Sequence, residues 1–123
     1  MRSLTAAAVL AAASLVALPA EAQRATVLQA RTAGELSDLC AANPKEALGD
    51  AKINFCHGYI QGAIQTDIRR SEGKKAFCFP NPQPTRTETT NDFVKWVRAS
   101  PDRKTPPAVE GLFQFLSERY PCK

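Results

Sequence analysis

The stretch DAKINFCHGYIQGAIQTDIRRSEG, residues 50–73, decides the fold class. Ile53, Cys56, Ile60, Ala63 or Ile64, and Ile68 recur at three- and four-residue steps, the period of one helix face. The helix should open between Pro44 and Asp50 and run to about Glu72, with Gly73 as its terminator. About 23 residues in this conformation would span roughly 35 Å. Gly58 and Gly62, four apart, share a neighbouring flank beside Phe55. Each interior glycine costs about 1 kcal/mol relative to alanine, so two of them predict a backbone or a ring packed closely there.

Upstream, Thr32-Ala33-Gly34-Glu35 has the spacing of a capping box, which predicts a short helix through Leu36, Leu39 and Cys40. Asn43-Pro44 should stop it. Downstream, Cys78-Phe79-Pro80-Asn81-Pro82-Gln83-Pro84 cannot be helical, because prolines at alternate positions force an extended, stiff segment. A rigid connector is the expected role; a proline-rich recognition ligand is the alternative. A third helix is expected to begin between Thr87 and Thr90, to carry Phe93, Trp96 and Val97 inward, and to end at Ser100-Pro101-Asp102. Thr105 is expected to cap a fourth, with Pro106 and Pro107 in its first turn, where proline is tolerated. Val109, Leu112, Phe113 and Leu116 form its expected buried stripe, and Tyr120-Pro121-Cys122 closes it. No stretch alternates as a strand. The expected class is all-α, a small four-helix bundle.

The amino terminus reads as an address. Arg2 gives a basic start, Leu4 to Leu18 is apolar except for Thr5 and Ser14, and Ala20-Glu21-Ala22 follows Pro19 as an A-x-A cleavage signature. These features predict a secretory signal peptide over residues 1–22, since an apolar run of about 15 residues falls short of the roughly 20 that span a membrane. Residues 23–123 would then be the mature protein. A lipoprotein would need a cysteine directly after the cleavage site, and the first cysteine is Cys40. Later apolar stretches are interrupted by Lys52, Gln61, Gln65 and Asp67, so no membrane span is expected after cleavage. The remaining hundred or so residues make one domain with a modest core. The net charge of the full chain is +4, mild and scattered apart from Arg69-Arg70, Lys74-Lys75 and Arg103-Lys104. Without interleaved aromatics these pairs read as solvated faces, and no nucleic-acid partner is expected.

Four cysteines, Cys40, Cys56, Cys78 and Cys122, lie in the mature part, and an even number in a small exported domain argues for disulfides. Zinc sites favour close C-x-x-C pairs, which these wide spacings lack. Ile53 stands where a C-x-x-C-H haem site would need cysteine. Chain direction selects among the three possible pairings. The long helix carries Cys78 to the end opposite its own start, a descending third helix and a climbing fourth return Cys122 to Cys78, and Cys40 joins the start near Cys56. Cys40–Cys56 with Cys78–Cys122 is the consistent set.

Chemistry is hard to find. Cys56 and His57 are adjacent on a helix and point about 100° apart, so they do not form a nucleophile pair. His57 is the only histidine, which excludes a histidine metal cluster. Phosphate loops, dinucleotide fingerprints and H-E-x-x-H are absent. The expectation is a protein without catalytic residues, metal or cofactor.

Cys56-His57-Gly58-Tyr59-Ile60-Gln61-Gly62 resembles the C-x-G-Y-I-x-G core of the Rap/Tai family, the immunity proteins of type VI secretion amidases. The agreement continues through Cys78-Phe79-Pro80, Val94 to Val97, Ser100-Pro101, Pro107-Ala108, Gly111-Leu112 and Tyr120-Pro121-Cys122, covering roughly Leu36 to Cys122. Trp96-Val97 departs from the tyrosine and leucine often found there. The resemblance implies an all-helical periplasmic protein, often a homodimer, that occludes the cleft of a peptidoglycan amidase effector with protruding loop and helix residues.

Loop exposure, rather than any family motif, places the expected contact at the turn Ser100-Pro101-Asp102-Arg103-Lys104. Ser100, Asp102, Arg103 and Lys104 are its partner-binding candidates, and Gln83 to Glu88 is the second segment. Reversing the charges of Arg103 and Lys104 should then weaken binding without lowering stability. The Gly58-Tyr59-Gly62 set is expected to serve packing. A helical binding or chaperone-like module is the alternative function, with Phe79, Phe93, Trp96, Phe113 and Phe115 lining a cavity.

Overall fold

In the computed structural model, residues 27–70 and 73–123 are described; the expected signal peptide, residues 1–22, lies outside them. The described residues form four α-helices, α1 (Ala33–Cys40), α2 (Gly49–Arg70), α3 (Arg86–Arg98) and α4 (Ala108–Arg119), with a 3-10 turn at Pro101–Lys104 before α4. The chain is all-α among these residues, and the disulfides are Cys40–Cys56 and Cys78–Cys122, as chain direction requires.

The shortest helix is the hub. α1 packs on α2, α3, α4 and the 3-10 turn, with Ala33, Leu36, Ser37 and Cys40 buried. Thr32 caps it as expected, accepting from the Glu35 N–H at 3.2 Å. The Glu35 carboxylate reaches one residue beyond the cap and accepts from the Arg31 backbone N–H at 2.7 Å. The approach to α4 is close because both partners are small: a Cβ built on Gly111 would lie 2.5 Å from the Ala33 Cβ.

α4 starts without the expected threonine cap. The Thr105 hydroxyl turns back to the Asp102 carbonyl at 3.2 Å, and Pro107 occupies the cap position with no side chain to offer. The first N–H groups of α1 and α4 are satisfied reciprocally instead. Ala33 N–H donates to the Pro106 carbonyl and Ala108 N–H to the Arg31 carbonyl, each at 2.9 Å. Two helix N-termini thus solve one problem, unpaired backbone donors, through an isolated bridge between Thr32 and Pro107.

The buried face of α4 is Ala108, Gly111, Leu112, Phe115 and Leu116. That is the expected helical period rotated by one residue: Val109 is 42% exposed and Phe113 is half-buried. α3 begins earlier than the threonine cluster suggested. Thr85 is its cap, in a complete capping box with Glu88, which frees Thr89 and Thr90 to be buried. Phe93, Val94 and Val97 are its core residues, and Trp96 packs at their edge.

α2 is anchored only along part of its length. Cys56 and Ile60 are buried, Ile53, Ala63 and Ile64 are half-buried, and Ile68 is 58% exposed, so the apolar stripe stops short of its expected end. A Cβ on Gly49, at the start of α2, would run into the Asn43 carbonyl, which explains glycine at a buried helix entry. Gly73, beyond the helix, takes the left-handed φ of 90° that a terminating glycine adopts. Gly58 and Gly62 behave otherwise than expected: among the described residues no atom outside their own helix would come within 4 Å of a Cβ at either site, so neither a backbone nor a ring of these residues covers that flank. Gly58→Ala and Gly62→Ala should therefore each stabilise the protein by about 0.5–1 kcal/mol through lower chain entropy, seen as higher urea midpoints. A lower midpoint would show that the flank is packed in solution.

Beyond α2 the chain returns through Phe77, 5% exposed, whose ring meets Phe79 at 5.2 Å and Phe113 at 6.1 Å. Residues 78–84 form no helix. Cys78 N–H donates to the Tyr120 carbonyl at 2.8 Å beside the Cys78–Cys122 disulfide, so this proline-rich strap is tied to the end of α4.

Candidate partner-binding surface

The strap, the start of α3 and the carboxy-terminal residues enclose a broad open groove of about 1090 Å³. Phe79 and Tyr120 form its apolar side, their ring centroids 5.0 Å apart. Glu88, Asp92, Lys95, Arg119 and Lys123 supply its charges. Glu88 is committed to the capping box, accepting from the Thr85 N–H and hydroxyl at 2.7 Å each, and these bonds hold its carboxyl below the usual carboxylate range. Asp92 is paired with Arg119 at 3.2 Å. The second of the expected contact segments, Gln83 to Glu88, forms one edge of this groove.

The Ser100–Lys104 turn lies on the α3–α4 side, and its residues are not equally free. Asp102 and Lys104 are exposed, and Ser100 is half-buried. Arg103 is clamped. Its guanidinium stacks 4.3 Å from the Trp96 ring centre, donates to the Trp96 carbonyl at 3.0 Å and lies 3.7 Å from the Glu118 carboxylate. Glu118 also accepts from the Trp96 indole N–H at 2.7 Å and from the Gln114 amide at 3.2 Å. The Lys104 backbone sits over Gly34 of α1, its carbonyl 3.1 Å from where a Cβ would stand. Arg103 is thus a structural tie as well as a surface cation, so reversing its charge should disturb the turn as well as any contact it makes, whereas Asp102 and Lys104 are exposed. The signal was present in the sequence as Trp96 seven residues before Arg103, but the partner at Glu118 needed the fold.

A smaller cleft of about 330 Å³ joins the two regions, lined by Asp92, Trp96, Phe115, Glu118 and Arg119. Of the five aromatics considered as cavity lining, Phe79 borders the strap groove and Trp96 and Phe115 border this cleft, both open surfaces. Phe93 and Phe115 are buried and meet at 5.5 Å, while Phe79, Trp96 and Phe113 pack against that core.

His57 sits half-buried where α2 faces the strap and the start of α3, near Thr90. Burial first, and then the Arg86 charge, hold its pKa below the ordinary 6.5. The unfolded chain therefore binds the proton more readily, and this contribution to stability is full above about pH 6.5 and declines as pH falls below it. His57→Gln should flatten the stability profile between pH 5 and 7. An unchanged slope would assign it to other groups. Among the described residues no three His, Cys, Asp or Glu side chains gather as a metal site, and all four cysteines are oxidised. No helix among them is long and apolar enough to cross a membrane.

A family model described as Rap1a immunity proteins matches residues 32–122, from the cap of α1 to the last cysteine. No curated protein and no solved structure matches the chain. The matched span takes in all four helices and both disulfides, and the chain belongs to the Rap1a immunity protein family.

Proposed function

We propose that the chain is exported by its leader, residues 1–22, and that the mature protein in the periplasm binds and sterically inhibits a type VI secreted peptidoglycan amidase, protecting the cell that makes it. The observation that carries this reading is the family match over residues 32–122. Two disulfides in so small a domain favour an oxidising compartment. Inhibition here needs no chemistry. A stapled scaffold presents its loops already ordered, which lowers the entropy lost on binding, and a loop seated in an enzyme cleft excludes substrate. Association of two copies belongs to the same reading, and light scattering of the mature protein should then give twice the monomer mass.

Cells that direct such an amidase to their own periplasm test the reading. Co-expression of the full chain should restore growth, and a chain lacking residues 1–22 should not. Lysis despite abundant exported protein, across effectors including any encoded beside it, would remove the reading. Rescue by the leaderless chain would remove only the compartment.

A further inference from the structure

The two segments singled out as contacts border one continuous face. The strap groove and the smaller cleft share Asp92 and Arg119, and the cleft is floored by Trp96, on whose ring Arg103 of the 3-10 turn is stacked. We propose that this strip over α3 and α4 is the effector-binding surface, that Trp96 is its central anchor, and that its occupant is an extended, carboxylate-bearing segment of the effector. The inference rests on the proposed inhibitory function and adds to it the place and the partner's chemistry.

Three features of the strip support this. Trp96 is half-buried and held on two sides, by its N–H to Glu118 and by the Arg103 stack. Tryptophan and arginine dominate binding energy at interface centres, and a ring already fixed loses little freedom on contact. The groove's internal pairings consume Asp92, Arg119 and Glu88. Lys95 and Lys123 line the groove outside any ion pair among the described residues, so its available charged donors are ammonium groups that suit carboxylates. Finally, the strip is concave at the strap and exposes Asp102 and Lys104 at the turn beside it.

Trp96 is the only tryptophan in the chain, which gives a direct probe. The mature, oxidised protein is labelled with 5-fluorotryptophan, and its single 19F resonance is followed as unlabelled amidase effector is added. The resonance should shift or broaden at stoichiometric effector. Lys95→Glu should lower the association rate about tenfold at low salt, with the gap closing as salt rises. Trp96→Phe keeps a ring against Phe115 but loses the N–H, and should raise the dissociation rate at least tenfold. Lys45→Glu, in the exposed α1–α2 loop, should match wild type and so controls for general charge. Effector binding with an unmoved resonance and a wild-type rate for Lys95→Glu would overturn the strip while leaving the inhibitory function standing. Failure of the wild-type protein to bind any amidase would overturn both.

Discussion

Phe115→Ala is expected to lower the stability of the mature protein by about 3–5 kcal/mol, the usual cost of deleting a fully buried ring. Phe115 is 1% exposed and packs α4 against α3. Its ring meets Phe93 of α3 at 5.5 Å, Trp96 at 5.9 Å and Tyr120 at 6.3 Å. Truncation leaves a cavity between α3 and α4 beneath the Trp96 cleft, where the ring met Phe93, Trp96 and Tyr120. A domain of this size has roughly 5–15 kcal/mol to lose, so the variant should approach the unfolding threshold at 37 °C. Urea unfolding of both proteins with disulfides intact gives the difference. A loss under 1 kcal/mol would mean that the α3–α4 interface relaxes freely, contrary to the packing described. Phe115→Leu, which retains most of the volume, should recover most of the loss.

Removing the Cys78–Cys122 staple should cost about as much, by a different route. Loop-closure entropy for a 44-residue separation gives about 4 kcal/mol, against about 3 kcal/mol for the 16-residue separation of Cys40–Cys56. Cys78→Ala with Cys122→Ala should therefore unfold at lower urea than Cys40→Ala with Cys56→Ala. The first pair should also loosen the strap, which is held to the end of α4 besides by the Cys78 backbone bond to Tyr120 and the Phe79–Tyr120 ring contact. Amide exchange along residues 78–84 would report that loosening. If the Cys40–Cys56 variant proves the weaker of the two, burial of that bridge beneath α1 outweighs chain entropy. Cys56 is fully buried and Cys40 is 9% exposed, so this is the competing outcome to watch.

Much of the architecture is written locally in the chain. Capping at Thr32, the stop at Asn43-Pro44 and the inward set Phe93 and Val97 all depend on neighbours in sequence, and all stand in the structure. The disulfide pairing was legible because helix length and direction restrict which ends can meet. The expectations that failed depend on what lies opposite. Whether Gly58 and Gly62 face a neighbour cannot be read from a helix alone, and here that flank is open. The expected and observed stripes of α4 lie one residue, about 100°, apart, and the decision falls to Ala33 and Gly111, whose small size brings α4 against α1 on one side. Thr105 had the composition of a cap, but the Arg31 carbonyl at the α1 entry, seventy-seven residues before Ala108, reached the α4 N–H first. Thr85-x-x-Glu88 was a capping box in plain view, masked by three later threonines of similar character. Of the contact candidates, Asp102 and Lys104 are exposed as expected, while the Arg103 clamp required a glutamate fifteen residues away.

The central claim is that this family member inhibits an amidase by occupying its cleft. The most direct test titrates the mature, oxidised protein into a purified type VI peptidoglycan amidase and follows cleaved wall peptides by mass spectrometry. The account predicts that cleavage falls linearly to zero at a fixed molar ratio, with the titrated protein recovered intact. Undiminished cleavage at large excess, for every amidase in the panel and for the effector encoded nearest the chain, would contradict it.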